Sequence, residues 1–411
     1  MQGKEPDMPS ISELELPHLA MDAPRFAENA AAHFAVARAE HSWLAKCVFG
    51  YVVHDYDAIK ELMWMDDKMH IAQDRVIDVM GARGTPWGRF QEENIFSLSG
   101  AAHKRIRDLV APAFTPRQAN LHRGLMRKVI AELLDEWAPK RAFDFEEFAA
   151  SFPIAVMCSL IGAPLSAIPQ IKSSLEAIGL SHSMDRSLLP WMQEAMATLD
   201  AFIDGLIAER RAGQRPTEEP DLLDALIAAH DYDGLTRREL VDLLITLMAG
   251  GYDTSKNLLT LIMHKMFDRP DDYARCAADL DYCRKVVEEM MRYQAISTAM
   301  RETHEDIVYR DVYIPSGTML FFALPVATRD PRVVPDPDIF DPERVQVKKH
   351  IGFGRGNHLC IGQYIARAQI EEGLHLIAQR ITSPRSPGPN GWRPFFGASG
   401  ISGLPIEFEP A

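Results

Sequence analysis

One cysteine stands out by its neighbours. In Phe353-Gly354-Arg355-Gly356-Asn357-His358-Leu359-Cys360-Ile361-Gly362, three glycines and a histidine crowd around Cys360. Behind it, the spacing of Ile365, Ile370, Leu374 and Ile377 predicts an amphipathic helix, with the cysteine at its N-terminus. Unpaired N–H groups and the helix dipole at that position favour thiolate over thiol. Glycines let the backbone pass close to a flat partner and aim N–H groups at the sulfur. A thiolate held this way serves as a nucleophile or as a metal ligand. A nucleophile needs a base, and His358 is two residues away, but the loop has no evident oxyanion site. A lone cysteine is most often a buried, inert one, and the glycine spacing argues against that here.

A second set of polar residues lies where an apolar helix is expected. Thr236-Arg237-Arg238-Glu239 fits a capping box. The helix that starts there can run to about Asp268, before Pro270, which is roughly 45 Å. Its middle is apolar on nearly every face, from Leu243 to Met248 and from Leu258 to Ile262, so it is buried. At its centre stand Gly250, Gly251, Tyr252, Asp253 and Thr254. Each glycine costs about 1 kcal/mol against alanine, and a buried Asp costs more unless paired. A packing notch with a satisfied Asp is one explanation. A widened turn that receives a small ligand, with Asp253 and Thr254 organising protons beside it, is the other.

The elements that must position these groups are mostly helical. From His103 to about Tyr293 apolar residues recur at three and four positions, as in Leu125, Val129, Leu133 and Leu134. Residues 43–51 and 51–54 read as strands, and residues 56–63 as a helix. A strand-rich region covers residues 307–324, broken by the turn Pro315-Ser316-Gly317. The proline-rich stretch that follows, ATRDPRVVPDPDIFDPER, cannot be a helix. The tail PFFGASGISGLPIEFEP reads as a small hairpin.

Composition narrows the function further. Lys and Arg number 44 against 58 Asp and Glu, a net charge of -14, which argues against wrapping nucleic acid. Five cysteines, an odd count with no C-x-x-C pair, do not suggest a disulfide framework or a structural zinc site. The polar start MQGKEPDMPS lacks a leader pattern, and no run of about 18 apolar residues offers a membrane anchor. A cytoplasmic location is expected.

The motif F-G-x-G-x-H-x-C-x-G resembles the haem-binding loop of the cytochrome P-450 superfamily, and the resemblance extends from about residue 20 to the end. It implies haem b as cofactor, with Cys360 as axial ligand and Phe353, Gly354 and Gly362 in the binding loop. Gly250 and Gly251 match the family's oxygen-binding groove, and Asp253 and Thr254 its acid–alcohol pair. Glu289 and Arg292 match the E-x-x-R motif, onto which Arg344 of the proline-rich stretch would lock. His103, Arg107, Arg301 and His358 fall where the family binds haem propionates. The implied fold is mainly α: residues 1–411 form a single triangular domain with a long central I helix and a minor β region. Tyr252, bulky before the acid, and Lys256, charged after the alcohol, are departures that bear on access and proton traffic.

The same resemblance implies a monooxygenase that inserts one atom of O2 into a hydrophobic small molecule. With no reductase domain in the chain, electrons would come from a ferredoxin and its NAD(P)H-dependent reductase. Lys104, Arg105, Lys348, Lys349 and Arg355 are candidates for a basic docking patch. By family analogy the substrate pocket draws on residues 87–98, 180–192, 296–300 and 399–402. These contain Trp87, Phe90, Ile95, Phe96, Leu188, Trp191, Met192, Ile296, Met300 and Ile401, which suit an apolar ligand. Two rivals are a peroxygenase on the same fold and a non-catalytic haem or ligand sensor. The paired Asp253 and Thr254 argue against both.

Overall fold

The long central helix forms as its capping box predicts. It spans Arg237–Met266, with Thr236 Oγ1 accepting from the Glu239 N–H at 3.1 Å and Glu239 Oε2 accepting from the Thr236 N–H at 2.8 Å. These bonds satisfy donors that a helix start leaves free. The computed structural model describes residues 8–214, 221–232, 234–345 and 348–410; the first seven residues of the polar start lie outside them. Around the central helix pack Phe145–Ile161, Ile168–Gly179, Leu189–Arg211 and the cysteine helix Gln363–Arg380. Being surrounded on all sides is why its apolar residues need no polar face. Among the described residues, no helix is long and apolar enough to cross a membrane.

The β structure is minor and sits to one side. A five-stranded sheet runs in the order Leu44–Cys47, Gly50–Val53, Met319–Phe322, Ala299–Thr303, Met69–His70. In it Arg301 lies opposite Leu320 and Met300 opposite Phe321. The expected strand over residues 43–51 ends at Cys47, and the expected helix over 56–63 forms as Tyr56–Leu62, capped by Asp55. Pro315-Ser316-Gly317 does separate two strands. A second, unforeseen turn at Arg310 and Asp311, both at positive φ, pairs Ile307–Tyr309 with Val312–Ile314. The proline-rich stretch holds a 3-10 segment, Leu324–Arg329, and no α-helix.

The tail is not a self-contained hairpin. Ile401–Ser402 pairs with Gly391–Trp392, while Pro405–Pro410 lies between Ala142–Asp144 and Ile381–Arg385. Ile406 and Phe408 are buried on one face of that strand, and Phe408 meets Phe143 edge-on at 5.3 Å. The apolar alternation therefore finds its cover in a distant segment rather than within the tail.

Candidate active site

The cysteine loop is built by short backbone bonds and two glycines whose conformation other residues adopt only at a cost. Cys360 N–H donates to Phe353 O at 2.9 Å, Gly354 N–H to Ile351 O at 2.8 Å and Leu359 N–H to Gly356 O at 3.1 Å. Gly354 and Gly356 have φ of 75° and 72°, a region costly for side-chain-bearing residues. A Cβ on Gly356 would also come within 2.6 Å of Met63 O. Arg367, on the cysteine helix, stacks its guanidinium 4.4 Å from the Phe353 ring centre and bonds Glu288 at 2.5 Å. Burial would raise the Glu288 carboxyl, but His350 and Arg367 pull it down to about 2.

Four of the five cysteines are buried; Cys360 is exposed, and it opens onto a cavity of about 340 Å³. The backbone N–H groups of Gly362, which caps the helix, and Gln363, its first residue, favour the thiolate form of its sulfur. Burial nevertheless pushes the thiol pKa up, further than these N–H groups, Arg107 and Arg367 bring it down. A metal cation bonded to the sulfur would favour the thiolate.

Gly250, Gly251 and Thr254 face the same cavity from the central helix. The helix stays α-helical through them, so the expected widened turn is absent. Thr254 Oγ1 donates back to Gly250 O at 2.8 Å, the usual use of a helical hydroxyl. The two glycines differ in role. A Cβ on Gly250 would meet nothing within 4 Å, so its absence enlarges the cavity. A Cβ on Gly251 would strike Met157 Sδ at 2.6 Å, so its absence lets two helices approach.

His103, Arg107, Arg301 and His358 all line the cavity. The His103 and His358 rings lie 4.3 Å apart, and Arg107 Nη2 donates to Leu359 O at 2.5 Å. Arg301 is 4% exposed, and its guanidinium donates to its neighbour's carbonyl, Met300 O, at 2.9 Å. Burial lowers its pKa to about 10. Burial, then Arg301, His103 and Arg107, lowers that of His358 to about 3. None of the four has a carboxylate ion-pair partner among the described residues. A buried cation without a counter-ion is costly, and Arg301, with the half-buried Arg107 beside the same cavity, makes the site suited to an anionic ligand. A flat group carrying carboxylates at its edge and a thiolate-binding metal at its centre fits this donor set.

Known proteins point the same way. Residues 172–383 match the family model Cytochrome P450. Luteothin monooxygenase of Streptomyces thioluteus is 31% identical over 402 residues, spanning 96% of this chain and 95% of the relative. Cytochrome P450 monooxygenase PikC of Streptomyces venezuelae is 31% identical over 326 residues, spanning 77% and 76%. The structure of cytochrome P450 CYP109Q5 from Chondromyces apiculatus matches at a TM-score of 0.83 and 25% identity, over 97% of this chain and 100% of that one. The chain belongs to the cytochrome P450 family. It is thus a haem-dependent oxidoreductase with the mainly α P450 fold, and haem b is its cofactor.

The P450 E-x-x-R pair sits deep in the core. Arg292 Nε and Nη2 reach the two oxygens of Glu289 at 2.9 and 2.7 Å, and both side chains are 1% exposed. Arg292 also donates to the carbonyls of Thr328, Pro337 and Ile339. Arg344 Nε lies 3.7 Å from Glu289 Oε1, and its other nitrogens bond the Pro335, Asp336 and Ile339 carbonyls. These side chains replace the internal bonds that a proline-rich backbone cannot make.

Asp253 is placed away from the P450 cavity. It is 2% exposed on the other side of the central helix, with Oδ1 accepting from Arg393 Nη1 at 2.5 Å and lying 3.6 Å from Lys256 Nζ. Lys256, itself buried, bonds Glu146 at 2.8 Å. Thr246, Leu247, Gly250, Gly251, Thr254 and Ser255 take the cavity side of the helix, and Asp253 falls outside that arc. The acid joins a buried ion cluster that balances Lys256, and Tyr252 is buried beside it.

Of the expected pocket residues, Ile95, Phe96, Ile296 and Met300 line the cavity. Trp87, Phe90, Met192 and Ile401 are buried in the core away from it; Leu188 and Trp191 pack against that core. Trp87 Nε1 bonds Ser181 and Trp191 Nε1 bonds Ser173. These side chains fill gaps between helices, which apolar composition cannot distinguish from a pocket wall. Thr246 and Leu247 line the cavity one turn before Gly250, and helical spacing could have revealed them. Gln73 and His182 line it too; His182 falls within the expected segment 180–192, and nothing in the spacing signals Gln73.

Proposed function

We propose that Cys360 is the thiolate ligand of the haem iron and that the protein inserts one oxygen atom from O2 into a hydrophobic small molecule. The observation that carries this is that Cys360, Gly250 and Thr254 line one cavity whose arginines, Arg107 and Arg301, have no carboxylate ion pair among the described residues. Bound haem supplies the oxygen-activating chemistry. The chain's residues do the rest. Arg107 and Arg301 would hold the propionates by charge, and His103 and His358 by hydrogen bonding. The Gly362 and Gln363 N–H groups steady the sulfur, and the gap left by Gly250 receives a small ligand. Thr254 Oγ1 keeps a lone pair toward the cavity, so it can accept from a water while its own hydrogen stays with Gly250 O. Asp253 acts through the helix as a positioning residue, because leaving Arg393 would break a buried ion pair.

Electrons come, in this proposal, from a separate ferredoxin and NAD(P)H-dependent reductase in the cytoplasm. The basic patch is smaller than the sequence suggests. Lys104 pairs with Asp108, Arg105 with Glu239, and Lys348 with Asp57 at 3.1 Å. Lys349 and Arg355 have no carboxylate ion pair among the described residues, and Arg355 stands 5.5 Å over the exposed Trp64. Arg355→Glu should slow reduction by an acidic ferredoxin, and an unchanged rate would refute the patch.

The central test is spectroscopic. The reduced protein under carbon monoxide should show the red-displaced Soret band of thiolate-ligated haem, and Cys360→His should lose it while retaining haem. An unshifted band in the unsubstituted protein would end the proposal. Thr254→Ala should divert reductant to peroxide or water without abolishing substrate binding; full coupling would remove Thr254 from proton handling. Turnover with peroxide but not with O2 and reductant would favour a peroxygenase.

A further inference from the structure

Among the described residues, two that line the cavity each carry a buried side-chain atom with no hydrogen-bond partner: Gln73 at Nε2 and Gln369 at Oε1. Such atoms are rare, because each loses its water without gaining a bond. Gln369 belongs to the helix that follows Cys360 and so to the sulfur side. Gln73 begins the helix Gln73–Met80, just after the edge strand Met69–His70, and is 2% exposed.

Gln73 is held from one end only. Its Oε1 lies 3.1 Å from His182 Nε2. His182 also lines the cavity, on the link between Ile168–Gly179 and Leu189–Arg211. It is backed by Gly397, where an added Cβ would come within 2.9 Å of His182 Cβ. Burial lowers the His182 pKa to about 4; an amide oxygen can only accept, so in this bond the neutral ring carries its hydrogen on Nε2. That bond fixes the carboxamide and leaves its N–H groups free. Nearby cavity walls, Ile71, Ile95 and Phe96, cannot accept a hydrogen bond from their side chains.

We propose that Gln73, fixed by His182, is a specificity-determining residue that docks a neutral hydrogen-bond-accepting oxygen, of the carbonyl, ether or nitro kind, on an otherwise apolar substrate. This rests on reading the cavity as the substrate chamber over the Cys360-bound haem. A compound lacking the oxygen would leave the Gln73 N–H groups buried and unpaired, which is how a polar group in an apolar chamber discriminates.

The test uses the ferric holoenzyme and azoles that anchor themselves on the iron. N-(para-acetylphenyl)imidazole and its para-ethyl counterpart, with the meta isomers, are titrated by the Soret shift. In the unsubstituted protein at least one acetyl isomer should bind about tenfold more tightly than its ethyl match, the factor that one neutral hydrogen bond supplies. Gln73→Leu should abolish that preference while keeping the ethyl compound's affinity, and His182→Phe should reduce it. Retention of the thiolate–carbon monoxide band shows that each variant keeps its haem site. No oxygen preference in the unsubstituted protein, or one that survives Gln73→Leu, overturns the inference and leaves the chamber standing. Azoles that never perturb the Soret band overturn both.

Discussion

Arg292 and Arg301 are both almost wholly buried, at 1% and 4% exposure, and the chain treats them in opposite ways. Arg292 has a bidentate carboxylate and three carbonyls. Arg301 has one carbonyl from its own neighbour and a pKa lowered by burial. The first is a clamp completed by the protein. The second is, on the function proposed above, half of an interaction whose other half would come from the cofactor. Burial alone does not separate a structural cation from a ligand-binding one; the presence of an acid partner does.

The contrast is easiest to break at Arg292. Arg292→Met should cost about 3–5 kcal/mol of stability by urea unfolding, with or without haem, because Glu289 is left as a buried unpaired charge. A loss below about 1 kcal/mol would mean that the clamp is not structural. Arg301→Met should do the reverse. Haem affinity should fall roughly tenfold or more, since a charge-assisted bond is lost, while the haem-free protein should be as stable as before or more so. A large loss of stability in the haem-free protein would erase the distinction. Arg344→Met should fall between, at about 1–3 kcal/mol, because it supports Glu289 from 3.7 Å and bonds three carbonyls.

The smallest effect is expected from the half-exposed cluster behind the cysteine loop. Glu288 is held at about 2 against an ordinary value of 4.5. Between those values the unfolded chain binds more protons than the folded one, so this contribution is complete above about pH 4.5 and lost as pH falls toward 2. Glu288→Gln should flatten that acid limb of the stability curve slightly. An acid limb identical in both proteins would show that Arg367 and His350 do not depend on this carboxylate.

What could be seen before folding was local. The cysteine loop, the capping box at Thr236 and the Glu289–Arg292 pair each lie within a few residues, where backbone geometry fixes which groups meet. The family resemblance singled out His103, Arg107, Arg301 and His358 as a group, and the fold brings all four to the wall of one cavity. The pocket was less legible: Phe90 and Met192 have the same apolar character as Ile95 and Phe96, yet the first two fill the core and the last two line the cavity.

The sequence by itself determined the long apolar helix, its glycine gap and the cysteine poised before a second helix, because periodicity and caps act between near neighbours. Only the tertiary structure decided that Thr254 faces the cavity while Asp253 turns to Arg393, that the tail strand inserts between two distant strands, and that Gln73 meets His182. A helix sets the angle between adjacent side chains, but which of them meets a neighbour depends on how distant segments pack around it.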